Sequence, residues 1–207
     1  MKLYDAMAPN PRRVRIFMAE KGIELPIEHL ELMEGQSRKP EFMAKNSLGE
    51  TPVLELDDGR YLTESIAICR YLEHLYPEPA LFGKTAEDKA FVEMWTRRME
   101  QLIMGPFGAY GIHSFEFFAD KIEQVPAYAE TQMRLIPKRW SWLDAEISDG
   151  RPFIAGDAFS VADITGAATL MIASFISYEV PTDLKHVRAW ADRIQTRPSV
   201  SSQIVST

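Results

Sequence analysis

The first third of the chain alternates between short strand-like runs and amphipathic helical segments. Strand patterns cover Lys2–Asp5, Ile27–Leu32, Pro52–Leu56 and Arg60–Leu62, and helical spacing of apolar residues covers Arg12–Lys21, Pro40–Lys45 and a stretch from Glu64 or Ser65 to Leu75. A hairpin turn at Asp57-Asp58-Gly59 joins the last two strands. A right-handed crossover followed by this hairpin predicts an α/β domain of order βαβαββα, with a four-stranded mixed sheet and helices on both faces.

Beyond residue 83 no segment alternates like a strand. Helical patterns cover Ala86–Met104, Pro126–Ile147, Val161–Ile176 and Lys185–Arg197. Gly105-Pro106 is predicted to kink or break the first of these helices, and Ser160 with Asp163 forms a capping box before the third. Because two prolines and a glycine interrupt Tyr76–Gly83, we predict an α/β domain over residues 1–77, a linker over 78–85 and an all-α domain over 86–207.

Composition favours a globular protein of the cytoplasm. The 207 residues are 46% hydrophobic without a long apolar run, so no membrane span is expected. The chain enters a strand almost at once, with no charged-then-apolar leader, and we therefore expect no export. Its single cysteine, Cys69, excludes an internal disulfide and a CxxC pair, which suits a reducing compartment.

The charge of the chain argues against nucleic acid as a partner. A net charge of -7 does not suit a phosphate backbone. The one basic cluster, Arg12-Arg13-Val14-Arg15, is interpreted as the solvated start of a helix, with contact of one arginine to an anion as the alternative. His29, His74 and His186 lie on separate elements and form no spaced set with Cys69, so no metal site is expected.

Groups suited to a small peptide are concentrated between Gly49 and Ser65. A cis peptide bond between Thr51 and Pro52 would turn the main chain of Thr51 outward to pair with an extended peptide. Ser65 adds a hydroxyl donor at a helix start, where unpaired N–H groups attract a carboxylate, and Glu64 adds a partner for an ammonium group. Alternatively, Thr63 to Ser65 only cap a helix and Pro52 only opens a strand.

These residues belong to three motifs that together resemble the glutathione transferase family across the whole chain. The motifs are MKLYDAMAPNPRRVRIFMAEKGI, KPEFMAKNSLGETPVLELDDGRYLTESIAICRYLEHLYP and GRPFIAGDAFSVADI. The pattern is similar to a cytosolic bacterial or fungal branch without the usual N-terminal Tyr, Ser or Cys. The resemblance implies a thioredoxin-like N-terminal domain, an all-α C-terminal domain and a homodimer. It also implies that Thr51, Pro52, Glu64 and Ser65 bind glutathione as a co-substrate, without a metal.

In this family a Tyr, Ser or Cys after the first strand commonly stabilises the glutathione thiolate. Here the loop over residues 6–11 reads AMAPNP, and the nearest tyrosine, Tyr4, lies within the strand. Asn10 remains as a donor to sulfur, or else as a turn residue. His113 is the other candidate, as a base acting directly or through a water with the help of Ser114, or else as a packing residue.

The family pattern assigns further residues to ligand contacts. Arg38 and Lys39 stand where the glycine carboxylate of glutathione is often bound, although two basic residues before a short helix are commonly just solvated. Phe107 and Tyr110 lie in an aromatic region that suits either a hydrophobic electrophile pocket or an interhelical core.

The resemblance implies a detoxifying transferase that adds glutathione to a small apolar electrophile, with peroxide reduction as an added activity. Two alternatives stay open. One is a non-catalytic glutathione- or protein-binding member of the same fold, because the loop lacks the usual thiol activator. The other is a glutathione-dependent isomerase or dehalogenase, which would need only a different acceptor pocket.

Overall fold

A computed structural model describes residues 1–202 and divides them into an N-terminal unit containing Met1–Leu81 and a C-terminal unit containing Phe82–Ser201. The division falls inside the predicted linker 78–85. The last five residues of the predicted second domain, 203–207, lie outside the described residues. Among the helices of residues 1–202, none is long and apolar enough to cross a membrane.

The N-terminal unit is built on a four-stranded mixed sheet of order β2-β1-β3-β4. The strands are β1 (Lys2–Asp5), β2 (Ile27–His29), β3 (Val53–Glu55) and β4 (Tyr61–Leu62). β1 runs parallel to β2 and antiparallel to β3, which forms a hairpin with β4. The predicted fold class is therefore confirmed, although three of the four strands are shorter than their sequence patterns.

Strand alternation distributes the core over both faces of this sheet. Tyr4 and Val53 pair across β1 and β3 and cluster with Leu30 and Phe42 on one face. The rings of Tyr4 and Phe42 meet edge to face, with centroids 6.0 Å apart. Because successive side chains of a strand point to opposite faces, the fully buried Leu3 belongs to the other face.

Three helices complete the N-terminal unit: α1 (Pro9–Lys21), α2 (Pro40–Met43) and α3 (Ser65–Leu75). α1 and α3 pack against each other, and α3 contacts β3. The predicted start of α1 at Arg12 is wrong, because the helix begins at Pro9. A proline is favoured in the first turn, since its missing N–H would have no helical partner there.

The C-terminal unit is helical throughout its regular structure. Its helices are α4 (Ala86–Arg98), α5 (Gly105–Ser114), α6 (Pro126–Glu146), α7 (Val161–Phe175), α8 (Lys185–Gln195) and the short α9 (Pro198–Ser201). Together with the N-terminal sheet, these helices give the predicted combination of an α/β and an all-α part.

The helix is not broken at Gly105-Pro106, whereas the alternative of a kink there stays a prediction. A π-helical segment over Met99–Met104 joins α4 to α5, and Pro106 lies in the first turn of α5. Inside an α-helix, Pro106 would remove one backbone hydrogen bond and its ring would clash with the preceding turn. The π-helical segment has a wider turn and a different hydrogen-bonding pattern at this point. The backbone therefore continues in helical geometry past Pro106.

The capping box predicted at the start of α7 is present. The Ser160 side chain accepts from the third backbone N–H of the helix, and Asp163 accepts from the backbone N–H of Ser160. The Asp163 carboxylate also accepts hydrogen bonds from the backbone N–H of Ile154 at 2.8 Å and from the indole N–H of Trp190 at 2.9 Å. One buried side chain thus ties α7 to α8 and to the preceding loop.

Candidate active site

One cavity of the N-terminal unit brings together five residues that the sequence assigns to ligand binding. Its walls are formed by Asn10, Asn46, Glu50, Thr51, Pro52, Glu64 and Ser65. They come from the first turn of α1, the loop before β3 and the start of α3. Asn10, Thr51, Pro52, Glu64 and Ser65 are the predicted members of this set.

The start of α3 is built to receive an anion. Ser65 is the first helical residue, and Glu64 precedes it with φ 64° and ψ 112°. A positive φ in a residue with a side chain costs about 1–3 kcal/mol, and such strain is concentrated at functional sites. The side chain of the N-cap residue Glu64 makes no capping hydrogen bond to α3, whereas α4 and α7 each have a capping box. The N–H groups and the positive dipole end of α3 are thus left for a ligand.

The loop before β3 supplies a main-chain edge to the same cavity. The Thr51–Pro52 peptide bond is cis, as the sequence analysis predicts. Asn46 holds this loop, because its Nδ2 donates to the carbonyl of Glu50 at 2.8 Å and its Oδ1 accepts from the N–H of Leu48 at 3.2 Å. Sequence reasoning missed Asn46, whose signal is an Asn at the start of the turn over residues 46–49.

These groups match the chemistry of an amino acid head joined to an extended peptide. A hydroxyl and a helix start suit a carboxylate, and the Glu64 carboxylate suits an ammonium group. The main chain of Thr51 lies beside them on the cavity wall. The cavity therefore suits a small peptide with a zwitterionic end.

Comparison with known proteins identifies the family. The model of the glutathione S-transferase N-terminal domain matches residues 3–80, and that of the C-terminal domain matches residues 99–198. The chain is 38% identical to glutathione S-transferase 2 of Saccharomyces cerevisiae, over 97% of this chain and 88% of that protein. This chain belongs to the glutathione S-transferase family.

Solved structures support the same assignment at the level of the fold. The transferase superposes on Gtt2 from Saccharomyces cerevisiae with a TM-score of 0.92 and 36% identity, covering 99% of this chain and 100% of that chain. A class Gtt2 glutathione S-transferase of Vibrio parahaemolyticus gives a TM-score of 0.85 and 33% identity, over 98% and 97% of the two chains.

Asn10 lies in the first turn of α1 and lines the cavity, so the prediction that it is a loop residue is wrong. Its flanking residues, Pro9 and Pro11, have no backbone N–H. Of these three residues only Asn10 offers both a main-chain donor and a side-chain amide donor. Among the first three residues of α1, Asn10 is therefore the one that can donate hydrogen bonds to a ligand.

The one tyrosine near the usual thiol-activating position is committed elsewhere. Tyr4 is buried, and its hydroxyl donates to Oε2 of Glu55 at 2.7 Å. Its ring packs against Phe42 of α2. Because the hydroxyl proton is held by a carboxylate on β3, Tyr4 does not supply the donor that the transferase needs for a thiolate.

The interpretation of the basic cluster in α1 as a solvated helix start is wrong. Arg12 and Arg13 are buried, and Arg15 donates to Oδ1 of Asp5 at 2.5 Å. The NH1 group of Arg13 donates to the hydroxyl oxygen of Ser65 at 2.8 Å. The sequence analysis gives contact of one arginine of the cluster with an anion as its alternative, but it does not single out Arg13.

The two predicted catalytic residues of the C-terminal unit have defined partners at the end of α5. Nδ1 of His113 accepts from the backbone N–H of Val125 at 3.2 Å, and its ring meets Tyr128 edge to face at 5.2 Å. The neutral ring then carries its proton on Nε2. The hydroxyl of Ser114 donates to the carbonyl of Tyr110 at 2.6 Å, which commits its single proton.

The predicted electrophile-pocket residues differ in exposure. Phe107 is 1% exposed, and its ring meets Trp140 and Tyr178 edge to face. This is the environment of an interhelical core. Tyr110 is half-buried and packs edge to face on Phe115, so it offers more surface to a ligand than Phe107 does. A role for either residue in binding the electrophile stays a prediction.

The predicted contacts to the glycine carboxylate lie outside the cavity lining. Arg38 donates through NH1 to the carbonyl of Leu48 at 2.8 Å, in the loop that Asn46 also holds. Lys39 is exposed and precedes α2. Arg38 therefore helps to shape the loop beside Thr51. A contact of Arg38 or Lys39 with the glycine carboxylate stays a prediction.

Proposed function

We propose that this glutathione S-transferase binds glutathione in the cavity at the start of α3, stabilises its thiolate and adds it to a small hydrophobic electrophile. One observation carries the proposal: the cavity combines the uncapped start of α3, the Glu64 carboxylate, the Ser65 hydroxyl and the main chain of Thr51. Each group has a counterpart in glutathione, which is an extended peptide with a zwitterionic γ-glutamyl end.

In this proposal each wall of the cavity binds one part of glutathione. Ser65 and the first N–H groups of α3 bind the γ-glutamyl carboxylate, and Glu64 binds the ammonium group. The main chain of Thr51 pairs with the peptide. Binding at several points fixes the position of the sulfur relative to Asn10, which lines the same cavity.

The reaction that follows is a substitution or addition at an electrophilic carbon. The thiol gives up its proton, the sulfur lone pair forms the S–C bond, and a leaving group departs with the bonding electrons or an added proton completes the product. A free thiol has a pKa of about 8.5, so only a few per cent is ionised at neutral pH. Donors to the sulfur raise the thiolate fraction, and we assign this task to Asn10, which lines the cavity. A contribution of His113 stays a prediction from the sequence.

A second candidate function is glutathione binding without catalysis. It is favoured by the hydrogen bond of Tyr4, the tyrosine nearest the usual activator position, whose hydroxyl donates to Glu55 at 2.7 Å. That hydroxyl has no second proton to donate to a thiolate. A protein of this kind would keep the peptide cavity and bind glutathione without accelerating its reactions.

Parallel measurements of turnover and binding distinguish the two functions. Turnover is followed with a chloronitroaromatic and, separately, with a peroxide, and glutathione binding is followed by calorimetry. The transferase proposal expects binding together with turnover of the chloronitroaromatic well above the uncatalysed rate. Binding without turnover of either substrate would instead support the binding function, and absence of binding would contradict both.

We also propose that the transferase is a homodimer, as the family resemblance implies. Large apolar side chains are exposed in both units, among them Leu48 at 56% and Phe91 at 51%. Their burial in a subunit interface would stabilise the assembly. Sedimentation velocity at micromolar concentration should give about twice the mass of one chain, and a species with the mass of a single chain would contradict the prediction.

A further inference from the structure

A buried arginine of α1 holds the side chain that we assign to the glutathione head group. Arg13 is 1% exposed and Ser65 is 5% exposed. The NH1 group of Arg13 donates to Oγ of Ser65 at 2.8 Å, across 52 positions of sequence. Ser65 lines the cavity, whereas Arg13 does not. The hydrogen bond to the Ser65 hydroxyl thus connects the guanidinium to the cavity.

The direction of this hydrogen bond determines what Ser65 can offer a ligand. A hydroxyl group has one proton to donate and two lone pairs that accept, and a guanidinium group only donates. Because Arg13 occupies a lone pair of Oγ, the Ser65 proton is not needed for that bond. The proton can therefore point to an acceptor in the cavity, and a carboxylate is the strongest acceptor among common ligand groups.

The positive charge of Arg13 also favours an anionic ligand group beside Ser65. An arginine side chain stays protonated at all physiological pH values. In a buried position its charge is screened less than at the surface, so it contributes more to the local potential. The positive end of the α3 dipole acts at the same point, since Ser65 is the first residue of the helix. Both effects favour an anionic group next to Ser65.

We infer that Arg13 is a positioning residue, which orients the Ser65 hydroxyl and makes the cavity selective for peptides whose γ-glutamyl end carries its α-carboxylate. The inference rests on the proposed function, because it concerns the same cavity and the same ligand. It extends that function to a residue that contributes to specificity without being in the cavity lining.

The test compares two ligands by calorimetry. The first is glutathione, and the second is 4-aminobutyryl-cysteinyl-glycine, which is glutathione without the γ-glutamyl α-carboxylate. The parent should bind glutathione at least about tenfold more tightly, since a hydrogen bond to a charged group contributes about 1.5–3 kcal/mol. Arg13→Met should lose most of this preference by weakening glutathione binding about tenfold while changing the Kd of the analogue less than about twofold.

Two further variants keep the test decisive. Arg13→Lys retains a buried cation and should recover part of the preference, and it replaces Arg13→Met if the latter does not fold by circular dichroism. Arg15→Met is the matched control, because this neighbouring arginine of α1 is bound to Asp5 and to the carbonyl of Ala6. The control should bind both ligands with the same preference as the parent.

A double-mutant cycle with Ser65→Ala separates positioning from general stabilisation of the fold. If Arg13 acts through Ser65, its substitution should change the glutathione Kd clearly less once Ser65 is alanine than in the parent, because only the effect of its charge remains. Equal losses for both ligands, or independent losses from the two substitutions, would overturn the inference but leave the proposed function intact. No ligand preference in the parent, or no effect of Ser65→Ala, would contradict both.

Discussion

Asp163→Ala should lower the free energy of unfolding by about 3–5 kcal/mol, because several buried donors would lose their acceptor at once. The Asp163 carboxylate is fully buried. It accepts from the N–H of Ile154 at 2.8 Å, from the N–H and the hydroxyl of Ser160 at 3.0 Å each, and from the Trp190 indole at 2.9 Å. Alanine would leave these four donors without this acceptor, and each unsatisfied buried group costs about 1–3 kcal/mol.

Urea unfolding followed by tryptophan fluorescence and circular dichroism measures this loss. Asp157→Ala is the matched control, because it removes the same charge from an exposed position in the preceding loop. It should change the free energy of unfolding by less than about 0.5 kcal/mol. A loss below about 1 kcal/mol for Asp163→Ala would show that the carboxylate is not the link between α7 and α8 that the distances indicate.

His113→Ala should reduce kcat/KM about 100-fold while leaving the glutathione Kd within about twofold of the parent value. Removal of a single donor to a developing anion costs about 10²–10³ in rate. The bond from Val125 to Nδ1 keeps the proton of the neutral ring on Nε2, so His113 has a donor and no free basic nitrogen. This bond leaves the neutral ring able to donate through Nε2 but without a free nitrogen for the role of a base that the sequence analysis proposes.

The dependence of kcat/KM on pH distinguishes the two roles. A histidine base would add a falling limb near pH 6.5, because its protonated form is inactive, and this limb would disappear in His113→Ala. Ionisation of the thiol itself also lowers kcat/KM at acid pH, so with His113 as a donor the acid limb should persist in His113→Ala and move to higher pH. The exposed His186 provides the control His186→Ala, which should resemble the parent. Unchanged kcat/KM in His113→Ala would assign His113 to packing against Tyr128.

Local sequence signals predicted most of the elements and several residues that line the cavity. The period of the apolar residues predicted the four strands of a mixed sheet, and Ser160 with Asp163 marked the start of α7. Adjacent Glu64 and Ser65 marked the start of α3, and both line the cavity. These signals work because each depends on residues within one or two turns of the chain.

The errors arose where distant residues decide the environment. Three arginines at a helix start resemble a solvated face, and only the fold places Ser65 beside Arg13 and Asp5 beside Arg15. Tyr4 similarly finds its partner, Glu55, on another strand. The alternation of side chains along a strand, together with the register of β1 with β3, could have indicated the pair of Tyr4 and Glu55. No local pattern predicts the contacts of the arginines.

Glutathione titration of the parent, Ser65→Ala and Glu64→Gln by calorimetry tests the central claim most directly. The account predicts saturable binding by the parent and a Kd raised about tenfold in each variant, since each loses a charge-assisted bond to the head group. Thr85→Ala is the control, because Thr85 caps α4 within its own capping box and should leave the Kd unchanged. If Ser65→Ala and Glu64→Gln both bound glutathione like the parent, the cavity at the start of α3 would not be the glutathione site.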